Sequence, residues 1–100
     1  MLYMVDIRAG MERANEVDRG EGPGPVFEKI VKRFHPQAAW GTPDARRTIM
    51  VVELKSPADM AELMYALTWF TGGQPTFTPV MPLEMFGEAL AAAKHIVTPP

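Results

Sequence analysis

The chain has 100 residues, 47% apolar and 22% charged, with ten basic side chains against twelve acidic ones and a formal net charge of −2. That is the balance of one ordinary globular domain, and the lack of any sustained basic run to follow a phosphate backbone argues against a nucleic-acid partner. There is no cysteine, which removes disulfides, thiolate metal sites and cysteine nucleophiles together.

Leu2 to Arg8 are rich in residues that favour strands. The stretch that follows, AGMERANEVDRGEGPGP, mixes charge with glycine and shows no clear period, so residues 10–24 are expected to form a long charged loop, mobile or else placed over something. GEGPGP within it lacks the Lys-Ser/Thr of a phosphate loop and reads as a connector. From Pro25 the pattern becomes helical: Val26, Phe27, Ile30, Val31 and Phe34 share one face, and Glu28, Lys29, Lys32 and Arg33 take the other. His35 before Pro36 marks the end, because a residue preceding proline avoids the helical region.

A short strand at Ala38 to Trp40, turn chemistry in Gly-Thr-Pro-Asp, and a strong strand from Thr48 to Leu54 form a hairpin. Ser56-Pro57-Ala58-Asp59 then supplies a serine N-cap, a first-turn proline and an acid at the positive end of a helix dipole. Met60, Leu63, Met64, Leu67 and Phe70 line one face of that helix, which Gly72-Gly73 stops. Pro75 to Met81 reads as a last strand, placed at an edge because Pro79 cannot donate to a ladder. Pro82 opens a C-terminal helix over 82–97 with a Phe86, Leu90, Ala93 and Val97 stripe, ended by Pro99 and Pro100.

With right-handed crossovers the first six elements make an α+β fold of ferredoxin-like βαββαβ order. It has a four-stranded antiparallel sheet, both main helices on one face, and the C-terminal helix as an addition. Strand parity sets Tyr3, Val5 and Ile7 against Leu2 and Met4, and Met50, Val52 and Leu54 against Ile49 and Val51. Both faces are apolar, whereas a face left to water should be polar. The expectation is a homodimer packed sheet against sheet.

These features resemble the dimeric α+β barrel group, which includes antibiotic-biosynthesis monooxygenases, stress-responsive barrel domains and muconolactone isomerase. The chain is most similar to a family of small bacterial ferredoxin-like domains of unknown function. The resemblance lies in the opening MLYMV, Trp40 on the second strand, VVEL followed by Ser56-Pro57-Ala58-Asp59, Trp69 late in the helix, and the closing TFTPVMP. It implies a dimeric barrel. The His with Asp or Asn pair of a monooxygenase site has no counterpart that aligns here.

Glu53 and Asp6 share parity with Ile49, Val51 and Met4, so both are placed to look into an inter-sheet space, where burial raises a carboxylate's pKa and fits it to move protons. Glu53 is the candidate catalytic acid; the alternative is that each acid reaches water or a lysine near a strand end. Tyr3, Trp40, Tyr65 and Trp69 are candidates to line an aromatic ligand pocket, though core packing explains each singly. His35 is a further ligand-binding candidate, or a helix C-terminal cation; it and His95 lack ligand spacing, so no metal is expected. Ser56 serves as a cap, which leaves no nucleophilic triad.

No apolar segment reaches the roughly 18 to 20 residues of a membrane helix, and MLYMVDIR has no basic n-region, so a cytoplasmic protein without a membrane partner is expected. The function expected is binding or conversion of a small hydrophobic metabolite without a cofactor. A protein-protein interaction or structural module without catalytic activity is the alternative.

Overall fold

The computed structural model describes residues 1–98. In chain order it has β1 (Leu2–Arg8), α1 (Met11–Arg19), α2 (Gly24–Phe34), β2 (Ala38–Gly41), β3 (Arg47–Glu53), α3 (Pro57–Thr71), β4 (Thr76–Pro79), a 3-10 turn (Leu83–Met85) and α4 (Phe86–Val97). Every strand neighbour is antiparallel, in the order β2-β3-β1-β4. β4 is therefore an edge, where the missing N–H of Pro79 costs no ladder bond. That strand is shorter than its sequence suggests, and Pro82 precedes a 3-10 turn rather than the helix itself. Pro99 and Pro100, expected to stop α4, lie outside the described residues.

Register fixes the two sheet faces. Val5 stands opposite Met50, and Tyr3 opposite Val52. Val5, Met50 and Val52, with Ile7 and Leu54, meet Ile30 of α2 and Leu63 and Leu67 of α3 in one buried core, against which the half-buried Tyr3 packs; each fully buried large side chain is worth about 1.5 to 3 kcal/mol for leaving water. α3 forms where the sequence supplies its punctuation. The Ser56 hydroxyl accepts the Asp59 N–H, Pro57 takes the first turn, and Gly72 ends the helix at φ 70°, a conformation costly to any residue with a Cβ. Gly73 is needed for a different reason: a Cβ there would sit 2.0 Å from the Arg8 carbonyl oxygen.

The segment expected to be a long loop holds α1. Ala14 is its buried contact, and the charges that hid its period are the groups that pin it. Arg13 Nε donates to the Phe70 carbonyl at 2.9 Å, and Arg46 donates to Asp18 at 2.9 Å and Asn15 at 3.1 Å. Gly10 and Gly20 bracket the helix, and Met11, Ala14 and Val17 carry a weak helical spacing that reveals it only in retrospect.

Candidate functional site

The other sheet face packs against none of α1 to α3. Met4 stands opposite Val51, Asp6 opposite Ile49, Trp40 opposite Ile49 and Ala38 opposite Val51. Asp6 and Arg47 are diagonal neighbours here. Arg47 Nε donates to Asp6 Oδ1 at 3.0 Å and Nη2 to Oδ2 at 2.6 Å, the two-pronged geometry that a guanidinium offers a carboxylate. Hydrogen bonding by Arg47 comes first among the causes that hold the Asp6 carboxyl below its ordinary pKa, with burial opposing and the charges of Arg47 and Arg8 assisting. The shift is opposite to the rise expected of a proton-moving acid between sheets, so Asp6 is a fixed negative charge at neutral pH.

Glu53 shares that face by register, opposite Leu2, but it lies at the exposed end of β3. Its Oε1 accepts a hydrogen bond from the Met1 ammonium at 2.6 Å, while the same ammonium donates to the Leu54 carbonyl at 2.8 Å. The carboxylate thus ties the first residue to the β3 end.

The aromatic candidates do not converge. Tyr3 packs edge-on to Phe77 with ring centroids 6.3 Å apart and lines a surface cleft with Leu54, Ser56 and Met60. Tyr65 and Trp69, one helical turn apart on α3, pack against each other with ring centroids 5.5 Å apart and planes tilted by 40° on its outer surface, 60% and 75% exposed. His35 is exposed and caps α2 in the left-handed conformation, φ 49°, its N–H donating to the Val31 carbonyl.

Trp40 lines the feature best shaped to hold a molecule. Between α2 and the β2 edge runs a groove of about 300 Å³, walled by Phe27, Ile30, Val31, Ala39 and Met50, with Arg47 and Thr48 among its polar groups. The residues that wall it come from helix, strand and connecting positions between 23 and 50, so no single motif announces it. Val31, placed on the core stripe by periodicity, is instead half exposed on this groove. A second, more closed cavity beneath α1, lined by Ala14, Phe27 and Thr71 among others, measures about 30 Å³, room for about two waters and no metabolite.

Among the described residues no buried side-chain nitrogen or oxygen lacks a hydrogen-bond partner, so no orphaned group points to a ligand. Among them, too, no cluster of three His, Cys, Asp or Glu could hold a metal, and no helix is long and apolar enough to cross a membrane.

Fold and groove together define a small α+β protein built on a four-stranded antiparallel sheet, compatible with the ferredoxin-like plan. Over residues 1–94 the chain matches the family described as Domain of unknown function (DUF3303), and it belongs to that family. No curated protein matches it.

Proposed function

We propose that the protein binds a small, largely apolar molecule in the groove between α2 and the β2 edge. The observation that supports this reading is the groove itself: about 300 Å³ with a predominantly apolar wall, at the lower bound of the roughly 300 to 1,000 Å³ that small-molecule sites occupy. Binding is favoured over conversion. Asp6 is held ionised by Arg47, and Glu53 does not line the groove, so neither acid is placed to exchange a proton with a bound molecule.

The test is native mass spectrometry of the purified chain alongside titration with the apolar fluorophore anilinonaphthalene sulfonate. Val31→Arg puts a charge on the groove wall at a half-exposed position, where surface substitutions shift stability by no more than about 0.5 kcal/mol. The expected result is probe binding weakened at least tenfold by Val31→Arg, with Trp40 emission, isolated in a Trp69→Phe background, responding to the probe. No retained ligand, together with probe binding indifferent to Val31→Arg, counts against the reading.

A second reading, an interaction module, is favoured by the exposed Tyr65-Trp69 pair, since large amphipathic rings on a surface are what protein interfaces recruit. A specific partner captured by the wild type and lost on Tyr65→Ser with Trp69→Ser supports it; equal capture by both proteins counts against it.

A further inference from the structure

Two apolar surfaces of this chain have no cover within it. One is the helix-free sheet face, centred on Met4, Ile49 and Val51. The other is α4. Helical spacing puts Phe86, Leu90, Ala93 and Val97 on one side and Glu88 and His95 on the other, yet every residue from Met81 to Thr98 is exposed. A 12-residue helix standing alone is marginal in water, where isolated helices need more than about 12 to 15 residues.

The dimensions show how much surface awaits cover. The radius of gyration is 17.3 Å and the extents are 64 × 23 × 20 Å, against about 13 Å for the radius of a compact 100-residue domain. The chain exposes 7183 Å², whereas a compact monomer of 11.1 kDa exposes about 5,700 Å². The surplus, about 1,500 Å², exceeds the roughly 800 Å² that each partner contributes to an ordinary stable interface.

The link to α4 directs it away from its own sheet. The Val80 N–H donates to the Leu2 carbonyl at 3.0 Å, continuing the line of β4. Pro79 and Pro82 bracket Val80 and Met81, Pro82 is extended at φ −57° and ψ 142°, and no glycine lies between Thr76 and Phe86. A short, stiff connection of this kind favours exchange between copies over folding back within one.

We propose that α4 is an exchanged arm: the α4 of each copy lies across the helix-free sheet face of a second copy of this chain, and a two-fold axis returns the contact. A helix of this length, about 18 Å at 1.5 Å per residue, matches a four-stranded sheet about 14 Å across between its outer strand axes. Its Phe86, Leu90, Ala93 and Val97 stripe meets Met4, Val51 and Ile49, and Glu88 and His95 stay in water. Direct sheet-on-sheet packing, the arrangement that strand parity alone suggests, leaves α4 uncovered; the exchange buries both surfaces at once.

The chain has no cysteine, so single thiols report proximity cleanly. Val51→Cys and Ala93→Cys proteins are unfolded, mixed in equal amounts, refolded together and oxidised. The expected product is a covalent dimer joined between position 51 of one chain and position 93 of the other, with the wild type running at twice 11.1 kDa by light scattering at micromolar concentration. A wild type that remains a monomer overturns the proposal, as do links confined to two copies of position 51, or a Val51→Cys, Ala93→Cys double variant that closes within one chain. Leu90→Asp provides a check independent of the thiols: its side chain is exposed in the single chain, so the core stays folded while the dimer dissociation constant rises at least 100-fold. An unchanged constant refutes the exchange.

Discussion

Replacing Gly73 by alanine tests the packing that joins α3, β1 and α1. The added Cβ falls 2.0 Å from the Arg8 carbonyl oxygen and 3.2 Å from its carbon, both main-chain atoms of the sheet that no side-chain rotation can remove. The backbone is held there from several sides: the Gly73 N–H donates to Thr71 Oγ1 at 3.1 Å, that hydroxyl donates to the Leu67 carbonyl at 2.7 Å, and Gly10 N–H donates to the Thr71 carbonyl at 2.9 Å. Relief of the overlap therefore moves a bonded network. The expected loss is about 3 kcal/mol, the upper end for overpacking, out of a total of about 5 to 15. At neighbouring Gly72, at φ 70°, a Cβ would lie 3.2 Å from the Arg13 Cβ, so Gly72→Ala pays mainly the left-handed backbone penalty of about 1 to 2 kcal/mol. Urea unfolding followed by circular dichroism measures both. A Gly73→Ala protein within about 0.5 kcal/mol of wild type, the range of neutral surface changes, would falsify the close approach of these two chain segments.

Leu67→Ala, at a fully buried position of α3, is expected to cost about 2 to 5 kcal/mol, read as a fall in the thermal midpoint; a shift under a few degrees means the helix does not seal the core. Asp6→Asn bears on pH. The folded carboxyl is held below its ordinary value by Arg47, so its contribution is complete above about pH 3.9 and fades as pH falls through the lower folded value. The wild type is therefore expected to exceed Asp6→Asn in urea midpoint at pH 7 and to approach it toward pH 2, and a gap that persists in acid refutes the assigned pairing. Tyr65→Ser with Trp69→Ser, both outside the core, is expected to leave stability within about 1 kcal/mol of wild type, as for two surface changes; a larger loss shows that the pair supports the fold.

α3 was legible because its instructions are local: a hydroxyl three residues before the N–H it caps, a proline whose φ suits the first turn, and a glycine able to turn left-handed at the end. The strands were legible from β-favouring residues and the turn chemistry between them, their antiparallel order from the handedness of the crossovers, and the edge position of β4 from Pro79. α1 escaped because its stability comes from outside it: Arg46 and the Phe70 carbonyl, 28 residues and more away along the chain, hold a helix whose own apolar spacing is slight. Asp6 was legible as a carboxylate on the open face, but the direction of its pKa was not, because its partner Arg47 is 41 residues distant and only the register of β1 with β3 puts the two side by side. Short-range order, then, belonged to the sequence by itself, since caps, periods and turns act within a few bonds of one another. The groove beside β2, the partner that fixes Asp6 and the uncovered length of α4 were decided by tertiary structure alone, because each depends on distances between segments that no local rule sets.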